Sequence, residues 1–103
     1  MKAVKVQYTV KHDFVETNKA NISKVMAKLK VEPISGMQYA SFILDDGQTF
    51  VHINMAKDQD TLSRLSEVME FKEFQAALKA SGPVSPPKAD NLNLVAAGFE
   101  LIG

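Results

Sequence analysis

Asp46-Gly47 separates two runs of β-branched, aromatic and apolar residues within positions 36–55 (GMQYASFILDDGQTFVHINM). Asp-Gly favours the two-residue type I′ turn, which needs φ > 0 at both central positions and matches the twist of two antiparallel strands. Such a turn fixes the register. Leu44 faces Thr49, Ile43 faces Phe50, Phe42 faces Val51, Ser41 faces His52, Ala40 faces Ile53 and Tyr39 faces Asn54. Successive side chains point to opposite sides of a strand, so these pairs sort onto two faces. Ala40, Phe42, Val51 and Ile53 make one face, and it is wholly apolar. Tyr39, Ser41, Ile43, Phe50, His52 and Asn54 make the other, an apolar surface with polar atoms set in it. Neither suits water, so both sides of the hairpin need a cover.

Residues 3–11 alternate, with Val4, Val6, Tyr8 and Val10 on one side and Lys5, Gln7, Thr9 and Lys11 on the other, the pattern of a half-buried strand. Asp13 with Glu16 three positions on fits a capping box at a helix start. From there to Lys30, the apolar positions Ile22, Val25, Met26 and Leu29 recur at helical spacing and define one buried stripe. Pro33 ends that helix, because the residue before proline is pushed out of the α region. The hairpin follows. Residues 58–81 read as helix in two pieces: Leu62, Leu65 and Met69 mark one stripe, Phe71, Phe74 and Leu78 a second, with a bend over 66–68. Asp58 and Asp60 suit a first turn, where carboxylates complement free N–H groups. Gly82-Pro83 stops the helix. Residues 82–91 (GPVSPPKADN), with three prolines, read as a surface connection, and residues 92–102 as a last strand apolar on both sides.

The order strand, helix, strand, strand, helix, strand gives an α+β chain of ferredoxin-like βαββαβ type: an antiparallel four-stranded sheet with two helices on one face. At 103 residues it is expected to form a single domain spanning 1–103. Two helices roof only one side of such a sheet, while the hairpin and last strand are apolar on both. An exposed apolar face of several hundred Å² is unusual for a monomer. A second copy packed sheet against sheet would cover it, and a homodimer is the expectation.

Charge narrows the function classes. Twelve basic and twelve acidic residues cancel, and eleven of the twelve cations are lysines, Arg64 being the exception. A nucleic-acid binder needs a basic surface for phosphates, and bidentate phosphate clamps need arginine. No cysteine is present, which excludes disulfides, thiolate nucleophiles and thiolate metal sites. The start MKAVKVQYTVKHD has no unbroken apolar stretch of signal-peptide length. No run approaches the ~18 apolar residues of a membrane span. A cytoplasmic protein with no nucleic-acid or membrane partner is the expectation.

The opening strand, the helix from Asp13, the GMQYASFILDDGQTFVHI hairpin, the FKEFQAAL helix and the closing strand together resemble the dimeric α/β-barrel superfamily, which includes antibiotic-biosynthesis-type monooxygenases, haem-degrading monooxygenases and stress-responsive barrel proteins. The resemblance covers nearly the whole chain and is one of pattern, with no short diagnostic motif. It implies that two ferredoxin-like chains pair their sheets into a barrel and that a small apolar ligand sits between each sheet and its own helices. Fold alone does not assign function. The resemblance suggests a cofactor-independent, monooxygenase-like enzyme acting on a small apolar or aromatic metabolite, or a non-catalytic ligand-binding or stress-related barrel. Haem-degrading members use a tryptophan and a haem-ligating histidine on a helix. This chain has no tryptophan, and His12 and His52 lie on or beside strands, so haem is not expected and no cofactor is assigned.

His52 stands out among the candidate site residues. Its unperturbed pKa lies near neutrality, which suits a general base or an anion ligand. A core histidine bonded to Ser41 or a tyrosine is the alternative. Tyr39 and Tyr8 are donors for a substrate oxygen or packed rings with wetted hydroxyls. Ser41 and Asn54 share the face of His52. Asn18 continues the buried stripe of the first helix, at a pocket mouth or bonded locally. Phe71 and Phe74 face the sheet as core, or as pocket wall if a cavity exists. Methionines 26, 37, 55 and 69 read as core filler. His12 and Asp13 diverge as neighbours, and no constellation has zinc or calcium-loop spacing, so no metal and no catalytic set is assigned.

Overall fold

The computed structural model describes residues 1–100. Strand β1 (Lys2–Thr9) leads through a 3-10 turn at His12–Phe14 into helix α1 (Val15–Val31). Strands β2 (Met37–Ile43) and β3 (Thr49–Ala56) follow, then α2 (Gln59–Ser63), a second 3-10 turn (Arg64–Glu67), α3 (Met69–Ser81) and β4 (Ser85–Leu92). The sheet runs β2-β3-β1-β4 with every neighbouring pair antiparallel, the ferredoxin-like order. No helix among the described residues is long and apolar enough to cross a membrane.

The hairpin register is the expected one: Ile43 pairs with Phe50, Ser41 with His52 and Tyr39 with Asn54. The turn differs. Among the described residues only glycines have positive φ, so Asp46 cannot occupy the first centre of a type I′ turn; within the turn Gly47 alone is left-handed, at φ 72°. The Gly47 amide instead donates to the Leu44 carbonyl (3.0 Å), giving a wider loop in the same register. The Asp46 carboxylate holds that loop by accepting from the Gln48 amide at 2.9 Å and the Thr49 amide at 2.8 Å. A local side-chain bond thus replaces the strained dihedral.

Asp13 does not cap α1. It lies in the 3-10 turn, and no side chain bonds the helix N-terminus. The turn runs straight into the helix, with Phe14 N–H on the Lys11 carbonyl at 2.9 Å, so its carbonyls satisfy amides that a cap would otherwise serve. Asp58 does cap α2, accepting from Thr61 N–H at 2.8 Å. The expected bend is the 3-10 turn and the extended Val68, φ −73° and ψ 124°. That break rotates Met69 out to 62% exposure, so Met69 is not core filler. Gly82 closes α3 at φ 67°, a left-handed conformation that glycine takes without a steric penalty.

The largest difference is the last strand. Strand β4 is residues 85–92, the stretch read as a connection, while 93–100 form no strand and Leu101 and Ile102 lie outside the described residues. Pro86 and Pro87 argue against a strand by propensity, yet an edge strand needs only one row of ladder bonds. Strand β4 is that edge, and its pairing with β1 shifts register between Gln7 and Thr9, where the prolines fall.

Tyr8, Val10, Val15, Val25, Phe50, Leu65, Phe74 and Leu78 form the core between sheet and helices. The mixed face of the hairpin, with Phe50, His52 and Asn54 buried, points to the helices. Ala40, Phe42, Val51 and Ile53 therefore lie on the helix-free face, where Phe42 is 56% exposed. Beyond them the register brings Lys5 beside Asp90 and Gln7 beside Lys88. The helix-free face is thus apolar on its β2–β3 half and polar on its β1–β4 half. The expectation of an apolar last strand on both sides does not hold.

Candidate functional site

Core side chains do not fill the space between sheet and helices. A cavity of about 640 Å³ opens there, bounded by Val4, Val6 and Tyr8 of β1, Tyr39 of β2 and His52 and Asn54 of β3. Leu62, Leu65, Phe71, Phe74 and Leu78 close it from the helices, and Pro83, Pro86 and Pro87 from the edge. That size falls within the ~300–1,000 Å³ of small-molecule sites, and an apolar lining with a few converging polar groups is their usual chemistry.

The polar groups form one chain of bonds. Asn18, wholly buried in α1, donates from Nδ2 to Tyr8 Oη at 2.9 Å. Tyr8 Oη lies 2.7 Å from His52 Nε2, and Tyr39 Oη 2.5 Å from His52 Nδ1. Ser41 Oγ stands 3.4 Å from Nε2. Each tautomer leaves one tyrosine proton unpaired, and the arrangement in which Tyr8, only 2% exposed, donates to Nε2 leaves it on the less buried Tyr39. A neutral imidazole then carries its own proton on Nδ1 and donates it to Tyr39. The Tyr39 hydroxyl proton is left over at the cavity wall.

Electrostatics keep this chain neutral. Burial pushes the His52 pKa down to about 4, because an imidazolium would lose its hydration with no anion to replace it. Burial pushes Tyr8 up to about 12, against a smaller opposing pull from the Asn18 hydrogen bond. Tyr39 is raised further, by burial first and by Tyr8 second. At neutral pH all three keep their uncharged forms.

The rings also stack. His52 lies between Tyr8 and Tyr39, with centroids 5.3 Å and 5.7 Å away, and Phe74 stands 5.3 Å from it. Phe71 meets Tyr39 edge-on at 6.1 Å. Separations of this kind favour offset and edge contacts. Asn54 is 9% exposed, lines the cavity and has a buried amide oxygen that meets no donor. An unpaired buried carbonyl is costly.

Tyr8, Tyr39, His52, Asn54, Phe71 and Phe74 all line the cavity; Ser41 and Asn18 stand behind the wall, bonded to His52 and Tyr8. All eight candidates are brought together. Sequence reasoning missed Gln75, Lys79 and the three prolines. Gln75 and Lys79 follow Phe71 at four-residue steps and so share its helix face, a signal that their polarity concealed. The prolines were hidden by the reading of 82–91 as a loop. Among the described residues no three His, Asp or Glu side chains gather as metal ligands.

No protein-family model and no curated protein matches the chain. Solved structures do. A structure described as an antibiotic biosynthesis monooxygenase superposes with a TM-score of 0.80 at 18% identity, covering 93% of this chain and 100% of its own. Rv0793 from Mycobacterium tuberculosis gives 0.79 at 13% identity, covering 95% and 98%. A variant of SnoaB, a cofactor-independent oxygenase from Streptomyces nogalater, gives 0.71 at 17%, covering 96% and 97%. The likeness is one of fold. This chain has the ferredoxin-like fold of the antibiotic-biosynthesis-monooxygenase-like structures over nearly its whole length.

Proposed function

We propose that this protein is a cytoplasmic homodimer that holds a small aromatic metabolite in the cavity between its sheet and helices. His52, Tyr39, Tyr8, Asn54, Phe71 and Phe74 form the binding wall, with Ser41 and Asn18 holding the polar chain in place. The observation that carries this reading is the open cavity with a fully bonded, neutral His52 in its wall. His52 is poorly suited to act as a general base: at about 4 its pKa lies about three units below neutrality, where proton abstraction has little driving force. Polarisation of a ligand oxygen by the spare Tyr39 proton fits the geometry better.

The apolar half of the helix-free face supports the dimer. Phe42, at 56% exposure, presents apolar surface there that a second copy would cover. Native mass spectrometry tests both parts: the reading expects dimer mass with a retained small molecule, and a bare monomer at every concentration refutes it.

A second reading, cofactor-independent oxygenation, is favoured by the fold shared with the oxygenase structure. Without a cofactor, all four electrons needed by O₂ come from the substrate. A ring CH₂ then becomes C=O, and the second oxygen leaves as water. Oxygen uptake that depends on an added aromatic substrate and is lost in Tyr39→Phe would establish it. Uptake equal in both proteins would remove Tyr39 from the chemistry.

A further inference from the structure

Among the described residues, the wall of the cavity contains one charged residue and no acid. Lys79, in the last turn of α3, is exposed, while Asn54 and His52 at the other side of the cavity are buried. Lys79 therefore marks the mouth and the asparagine marks the interior. Among the described residues Lys79 makes no ion pair; the two present are Lys19–Glu16 and Lys28–Glu32, on α1 and its end. The rim thus places one ammonium group above an aromatic interior.

We infer that the ligand is a planar aromatic acid, its carboxylate at Lys79 and its ring among Phe71, Phe74, Tyr39 and His52. This deepens the binding reading above and rests on it. The neutral network rejects the opposite orientation. His52, Tyr8 and Tyr39 are uncharged, so a carboxylate driven inward would lose its hydration against an apolar wall with no cation to meet it. At the rim, it stays wet and gains attraction from Lys79. The ring buries apolar surface against the aromatic wall. Each part of the ligand thus answers a feature of the wall.

Isothermal titration with 1-naphthoate and 1-naphthamide tests this, since the two share ring and size and differ in charge. The wild type is expected to bind the acid about fivefold more tightly than the amide, the scale of a partly exposed ion pair, and added salt should shrink the ratio. Lys79→Gln should bring the ratio close to one, while Lys79→Arg keeps most of it. Amide NMR shifts at Tyr39 and Asn54 locate the binding. A wild-type ratio of one or below, or a ratio unchanged by Lys79→Gln, overturns the acid assignment and leaves the cavity reading standing. Failure of both compounds to move the Tyr39 and Asn54 signals overturns both.

Discussion

Replacing Tyr8 by phenylalanine removes one oxygen and leaves two buried groups without a partner. Asn18 Nδ2 loses its acceptor at 2.9 Å and His52 Nε2 its donor at 2.7 Å. Their residues are 0% and 4% exposed, so bulk water replaces those bonds poorly. An orphaned buried polar group costs about 1–3 kcal/mol. Ser41 Oγ, already 3.4 Å from Nε2, can turn toward the histidine and recover part of one loss. The sum comes to about 2–4 kcal/mol, a large share of the roughly 5–15 kcal/mol available to a domain of this kind. Urea denaturation should therefore show a lower midpoint at unchanged slope, and Tm should fall by about 10 °C or more. Tyr39→Phe is the internal comparison. It frees only His52 Nδ1, at the half-buried end of the chain, and should cost about 1 kcal/mol. A Tyr8→Phe protein within about 0.5 kcal/mol of wild type, or less affected than Tyr39→Phe, would refute the bonded chain.

Stability should also depend on pH through His52. The unfolded chain takes up its proton near 6.5 and the folded one only near 4, so the unfolded state binds more protons between those values. Folding stability is then full above about 6.5 and falls by roughly 3 kcal/mol as pH drops to about 4; His52→Gln should flatten that limb. The Asp46 and Asp58 carboxylates, lowered by their turn and cap hydrogen bonds, lose their contributions in a separate window below the ordinary carboxylate value. On the helix-free face, Phe42→Lys should shift sedimentation from dimer to monomer without lowering the Tm of the isolated fold; an unchanged dimer would place the interface elsewhere.

The hairpin was legible because parity and register follow from strand geometry: once Ile43 is set against Phe50, His52, Ser41, Tyr39 and Asn54 must share a face. Alternation in β1 added Tyr8 to that face, and helical spacing added Asn18, Phe71 and Phe74. Three things were not legible. Pro86 and Pro87 oppose a strand by their local chemistry, and only their place at a sheet edge, a tertiary fact, permits one. Asp13 has the spacing of a cap but was displaced by a 3-10 turn whose carbonyls do the same work. The depressed pKa of His52 depends on how completely two tyrosines and Phe74 exclude water, which no spacing records. The polar β4 also narrows the apolar patch on the helix-free face to the β2–β3 half, a smaller area than the sequence implies.

The claim on which the account depends is that the space between sheet and helices receives a small aromatic molecule. Crystals exposed to iodobenzene vapour test it directly through the anomalous scattering of iodine. The account predicts an iodine peak inside the cavity, among Phe71, Phe74 and His52, with the Tyr8–His52–Tyr39 bonds intact. A cavity closed by collapsed side chains, with iodine found only on the outer surface, would contradict it.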